Sequence, residues 1–327
     1  MSLVDLGHQD EAVVVDVTAD EPTAAIAARS PLNLFWRRLR QDRVALGGLV
    51  FIVILLLAAV FAPLVVKALG LPGPYEQNIG ALDAFGQPAG PSAAHPFGVD
   101  DLGRDIFSRV LYGARVSLEV AFIATGIAVG FGVVVGMVSG YFRGWVDTAL
   151  SRVMDIVLAF PLLLLAIGLA SACSLGRGCL GGLIKPGRGV LILVIALASW
   201  PYIGRIIRGQ VLSMREKEFV EASRSLGASN ARIIFREILP NLVAPIIVYT
   251  TLVLPTNVLF EAALSFLGVG VQPPTASWGQ MIAAAAPIFD SAWWYMFFPG
   301  LALVLTVLAF NLVGDGLQDA LNPRSDR

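Results

Sequence analysis

Six stretches of this chain stay apolar for about the thickness of a bilayer, and the segments between them are polar, patterned, or rich in proline and glycine. They are Val44–Val66, which holds no charged residue, and then Val116–Gly140, Val153–Ala172, Val190–Ile207, Leu242–Val269 and Trp293–Val313. About 20 mostly apolar residues carry a helix across the hydrocarbon, and a helix satisfies its own backbone there. The pattern predicts an all-α integral membrane protein of six transmembrane helices, with both termini on one side.

Between the fourth and fifth runs the pattern turns from uniform to periodic. Residues 214–240 hold four acidic and four basic side chains from Glu216 to Glu237, so this segment does not cross lipid. Phe219, Ala222 and Leu226 recur at helical spacing, as do Ala231, Ile234, Phe235 and Ile238. Gly227 stands where a helix would end on a left-handed residue. Ser229 or Asn230 is placed to cap a second helix, and Pro240 to close it before span five. Two short amphipathic helices, held against the end of the membrane domain, are expected.

Composition sharpens the class. Hydrophobic residues make up 56% of the 327 and charged residues 14%, against roughly a quarter charged in soluble domains. The net charge of −1 offers nothing to nucleic acid, so membrane lipid is the expected surrounding. With the N-terminus inside, 16 Lys and Arg fall on the inner side and 7 on the outer. The positive-inside rule then puts both termini in the cytoplasm. Residues 1–30 carry six acids among small residues and are expected to form a flexible tail. In 31–43, Arg37, Arg38, Arg40 and Arg43 interleave with Leu34, Phe35, Trp36 and Leu39, which suits an interfacial helix or a solvated basic flank. The six-span domain takes residues 44–323.

Few residues inside the spans carry chemistry. Span two has Gly126, Gly130, Gly132, Gly136 and Gly140, spacings that let helix backbones approach closely in lipid. Pro161, Pro245 and Pro255 are placed to kink their spans. Glu119 and Asp155 lie near span ends, where snorkelling or a local pair explains them. Glu261 sits deeper, with Asn257 one turn before it on the same face. An ionisable residue at that depth is a functional candidate, so the pair either lines a route near an outer gate or hydrogen-bonds a neighbouring helix. Cys173 and Cys179, with five residues between them, form a disulfide in an oxidising compartment or remain free thiols. Asp100, Asp101 and Asp105, with Arg104 and Arg109, are expected to make a solvated, locally paired approach to span two. His95 has no companion ligands for a metal. The sequence contains no G-x-x-x-x-G-K-[ST] loop, so it has no site for ATP hydrolysis of its own, and no cofactor or metal is expected in it.

Glu221-Ala222-Ser223, Gly227 and Ile238-Leu239-Pro240 resemble the EAA motif of ABC importer permeases. His95-Pro96-Phe97-Gly98-Val99-Asp100, continuing through Ser117-Leu118, is similar to the C-type permeases of the dipeptide, oligopeptide and nickel family. So is Glu261-Ala262-Ala263-Leu264-Ser265-Phe266-Leu267-Gly268 with Gln272-Pro273-Pro274 and Trp278-Gly279. Together these cover about residues 36–323. The resemblance implies a type I importer permease in the bacterial inner membrane. Phe219, Glu221, Ala222, Ser223, Leu226, Gly227, Ile238, Leu239 and Pro240 would form the segment that couples it to ATPase subunits. It also implies a homologous second permease, an extracytoplasmic solute-binding protein, and ATP with Mg held by the ATPase partners. Ser223 departs from the motif's second alanine, and the Ile lies one place late. Peptides are the default solute. An ion-coupled carrier or a non-transporting scaffold would share the spans but not the need for an ATPase.

Overall fold

The computed structural model describes residues 31–174, Cys179, Gly182 and residues 187–321. The acidic tail and Arg177 and Lys185 of the connection after span three lie outside the described residues. Helix α1 spans Pro31–Gln41 and α2 Arg43–Val60, with a short α3, Ala62–Ala68, after a break at Phe61. Asp42 caps α2 by accepting from the amides of Val44 and Ala45, each at 3.0 Å. Then come α4 (Ile106–Phe142), α5 (Gly144–Ala159), α6 (Leu162–Ser174) and α7 (Arg188–Met214). After them follow α8 (Glu218–Ser225), α9 (Asn230–Phe266), α10 (Trp278–Ala285) and α11 (Trp293–Leu321). Among the described residues five helices are long and apolar enough to cross a membrane, and the bent pair α5–α6 brings the number to six when it is counted as one span.

Three elements depart from the sequence pattern. The third span is not one helix: α5 and α6 meet at 89°. Phe160 precedes Pro161, whose ring drives it out of helical space (φ −80, ψ 140). Helix α4 starts at Ile106, well before the apolar run, because Asp105 accepts from the Ser108 amide at 2.8 Å and nucleates it early. Its 37 residues reach about 55 Å, longer than the hydrocarbon. And Pro240 does not end the helix that Ser229 caps. That helix runs unbroken into span five as α9, ending at Phe266. A π-helical turn at Ile233–Ile238, closed by the Leu239 amide on Ile234 O, carries the helix into Pro240 without a break.

Helices α4 and α7 pack along their length through glycine. A Cβ built on Gly132 would stand 2.7 Å from Trp200 O, on Gly136 2.6 Å from Gly204 O, and on Gly140 2.8 Å from Val211 Cβ. Backbones this close leave no room for a side chain. Gly126 and Gly130 meet nothing within 4 Å, so only the second half of the glycine stripe is a packing seam. On the other side, α11 lies between α2 and α9, with Gly48 of α2 against Ala309 O. Gly316 of α11 packs on Ala45, which brings both ends of the described chain to the end of the bundle that carries α8.

At the opposite end the 69–105 loop is a built structure, not a solvated approach. Asp100, Asp105 and Arg109 are fully buried, and Arg104 and His95 nearly so. Asp100 accepts from the Leu102 and Arg104 amides through Oδ1 and meets Arg104 Nε at 2.7 Å and Arg109 Nε at 3.3 Å through Oδ2. Arg109 donates to Pro74 O at 3.0 Å and to Gln280 Oε1 at 3.4 Å, and Asp105 Oδ2 meets His95 Nδ1 at 2.9 Å. Partial burial and the neighbouring Asp100 charge push the Asp101 carboxyl above its ordinary value, with Arg104 opposing. The sequence expectation fails here because Phe97, stacked on Phe298 at 3.9 Å, and Trp294, bonded to Val99 O, roof the loop from α11.

Candidate functional site

The segment between α7 and α9 presents one face inward and another outward. Helix α8 ends as the sequence implies: Gly227 is left-handed (φ +77), and the Gly227 and Ala228 amides bond to Arg224 O and Ser223 O. Ser229 caps α9. The buried anchor of α8, however, is Val220, absent from the apolar stripe read from sequence. Val220 inserts among Met137, Tyr141, Val211, Ile233, Ile234 and Ile238, with no exposed surface. Ala222 and Leu226 face away from the described chain, Leu226 88% exposed, Phe219 is covered except for about a third of its surface (37% exposed), and Ala231 and Phe235 of α9 are exposed. Ile234 and Ile238 turn inward. An eight-residue helix has enough apolar positions for two faces, and periodicity alone does not say which one its own chain covers. Glu221 and Arg224 lie exposed beside the outward stripe. Ser223 and Leu239 are partly buried and Pro240 exposed.

Polar clasps tie this segment to the spans. Arg143 at the α4–α5 turn meets Glu216 at 2.5 Å. Arg215 donates to Tyr141 O, and the Tyr141 hydroxyl donates to Asn230 Oδ1 at 2.8 Å. Arg208 of α7 grips Asp147 of α5 with two bonds (2.5 and 2.7 Å), and the Ser139 and Ser151 hydroxyls donate to the same carboxylate. These groups were not singled out from sequence; only the tertiary fold brings α4, α5 and α7 together. Replacing Asp147 with asparagine is expected to lower stability by about 2 kcal/mol, the scale of hydrogen bonds to a charged group. An unchanged thermal unfolding midpoint of the purified protein would show that the clasp contributes nothing.

Midway along the bundle the α5–α6 bend opens a cavity of about 310 Å³ against α7 and α9. Leu158, Leu162, Ala198, Leu252 and Val253 form its walls, and Ser199, Tyr202, Thr256 and Asn257 supply the polar atoms. Asn257 is fully buried at its floor. Its Nδ2 donates to Thr125 Oγ1 and its Oδ1 accepts from Ser199 Oγ, both at 2.8 Å, which joins α4, α7 and α9. Glu261, one turn on, does not reach this cavity. It is fully buried, accepts from Ser265 Oγ at 2.8 Å, and sits among the Ser117 and Ser277 hydroxyls. Ser277 caps α10, and Trp278 donates to Ser117 and to Val110 O, so Glu261 belongs to the joint that seats α10 on α4. Glu119 pairs with Arg188 at 3.0 Å, and Asp155 pairs with Arg205. Cys173 and Cys179 are joined as a disulfide, Cα–Cα 4.7 Å.

Known proteins match this chain over nearly all of its length. The family model described as binding-protein-dependent transport system inner membrane component matches residues 132–327. That of the N-terminal transmembrane domain of oligopeptide transport permease C matches residues 30–88. The dipeptide transport system permease protein DppC of Alkalihalophilus pseudofirmus is 39% identical over 317 residues, 97% of this chain and 98% of the relative. The glutathione transport system permease protein GsiD of Escherichia coli O6:K15:H31 is 42% identical over 297 residues, 90% and 91% of the two chains. In solved structures, an inward-facing form of the MetNI methionine ABC transporter aligns with TM-score 0.55 and 21% identity, over 65% of this chain and 96% of that one. That likeness is one of fold.

Proposed function

This chain belongs to the family of binding-protein-dependent transport system inner membrane components, and from that premise we propose that it is the C-type permease subunit of an ATP-driven importer of di- and oligopeptides. It is a multi-pass inner-membrane protein and a transport permease. The peptide assignment rests on the dipeptide and glutathione permeases, both at about 40% identity over nine-tenths or more of the chain.

One observation carries the coupling role: α8 is held in place by buried Val220 yet leaves Ala222 and Leu226 uncovered by the described residues, Leu226 at 88% exposure, with the edge of Phe219 beside them. An ordered apolar stripe facing outward, flanked by Glu221 and Arg224, suits a groove on another subunit. We assign that groove to the ATPase, which holds ATP and Mg, and place α8 and both termini in the cytoplasm. The excess of Lys and Arg on that side supports this orientation. A homologous second permease completes the path, and a solute-binding protein delivers peptide to the opposite end. Asn257 is assigned to the wall of the path. Glu261 is assigned to holding α10, where it shapes the outer gate.

ATP-driven closure of the ATPases moves α8. Arg143, Arg208, Arg215 and Tyr141 pass that motion to α4, α5 and α7, so that the spans tip between two openings. The ATPases drive this only by binding one arrangement more tightly than the other. The test is uptake of a labelled dipeptide into proteoliposomes holding the co-expressed complex. Uptake is expected to need ATP and the binding protein and to be indifferent to a collapsed proton gradient. Uptake that survives ATP removal but stops with the gradient would make this an ion-coupled carrier, and an intact complex with no flux would make it a scaffold.

A further inference from the structure

The cavity at the α5–α6 bend has a chemistry of its own. Irregular backbone at membrane depth persists where it lines a cavity rather than lipid, and transporters place substrate at such discontinuous helices. Its volume, about 310 Å³, lies at the small end of ligand sites, ~300–1,000 Å³. That suits one amino-acid side chain with its adjoining backbone, not a folded oligopeptide.

Every described residue lining the cavity is uncharged. Asp155 on α5 and Arg205 on α7, one turn from the lining, are paired to each other, and Glu261, one turn beyond Asn257, is held by Ser265. Asn257 is committed on both sides, to Thr125 and Ser199. What remains for a ligand is hydroxyl chemistry at the rim. The exposed Tyr202 hydroxyl has no partner among the described residues, and Thr256 Oγ1 reaches only Leu252 O, at 3.5 Å. Such a site welcomes an apolar or hydroxylated side chain. A charged one loses water there and gains no counter-ion.

We infer that this cavity is the chain's own subsite for the uncharged side chain of a peptide in transit, with Thr256 at its rim setting the charge it accepts. The inference rests on the peptide reading above and adds to it a selectivity that belongs to the permease rather than to the delivering protein. Tyr202 and Thr256 hydroxyls bond the peptide backbone while its side chain lies against Leu158, Leu162 and Leu252. The charged termini stay outside, toward the second permease and water.

The experiment measures uptake of Ala-Leu, Ala-Lys and Ala-Glu by the reconstituted complex, with one binding protein throughout, so that a changed ratio reports the permease. Thr256→Glu is expected to raise the Ala-Lys to Ala-Leu ratio about ten-fold, and Thr256→Lys to raise Ala-Glu to Ala-Leu similarly, the scale of one partnered charge. Thr256→Trp, which fills the cavity, is expected to cut Ala-Leu uptake about ten-fold in complexes shown by co-purification to be intact. Wild-type uptake with ratios untouched by all three changes would overturn the subsite and leave the peptide reading standing. Wild-type complex that carries none of the three, while its ATPase still responds to the binding protein, would overturn both. As a check without substitutions, a dipeptide bearing an uncharged benzophenone side chain, photolysed during turnover, is expected to label Leu158, Tyr202 or Thr256. Label found only elsewhere in the chain would also overturn the inference.

Discussion

Complexes carrying Gly227→Val with Glu221→Arg are expected to lose substrate-stimulated ATP hydrolysis, by ten-fold or more, or to shed their ATPase subunits. Gly227 holds φ +77 with open space around it, so the cost of a side chain there is conformational rather than steric. A β-branched residue in the left-handed region costs about 1–2 kcal/mol, which an eight-residue helix anchored by Val220 alone does not absorb. Aspartate tolerates that region far better, and Gly227→Asp is therefore expected to act mainly through its charge. Glu221 is exposed, and its carboxylate has no partner among the described residues. Reversing it leaves the fold of α8 intact and alters only what the helix presents. Normal assembly with normal stimulation in the double variant would show that α8 is not the coupling element.

Asp100→Asn is expected to destabilise the protein by about 3–5 kcal/mol, the scale of breaking a buried ion pair from one side. The amide oxygen still accepts from the Leu102 and Arg104 amides, so the turn keeps its hydrogen bonds. What is lost is, among the described residues, the only carboxylate in direct contact with Arg109 and the closest one to Arg104, whose side chains are 0% and 7% exposed. Two guanidinium groups then share a dry site, with Asp101 3.9 Å away from Arg104 as the remaining anion. A thermal unfolding midpoint equal to that of the parent protein would contradict this account. Glu119→Gln, at a pair roughly half exposed on both sides, is expected to change the same midpoint hardly at all.

These two sites differ in how much of them the chain pattern carried. The Gly227 turn was legible because its determinants are local: Gly227 is a glycine for a backbone reason, and Ser229 accepts from the Arg232 amide three residues on. The Asp100 network was not. Asp100, Arg104, Asp105 and Arg109 have the same composition as a solvated charged loop, and what buries them comes from Trp294 and Phe298, almost 200 residues later. The cavity was half legible. Asn257 stood out as a polar residue at depth, but Ser199, Tyr202 and Thr256 are unremarked in sequence until the bend at Pro161 clears the space before them.

The helical membrane class and the family follow from the chain alone, because each depends on runs of near neighbours: about 20 apolar residues in a row, a cap, a proline, a short motif. Which face of α8 is buried, which glycines of α4 touch α7, which ion pairs are dry and where a cavity opens were decided only by the tertiary structure. Burial is a property of what a side chain meets across the fold, and Val220 and Leu226 are equally apolar until one of them finds Tyr141 and Ile238 and the other finds nothing.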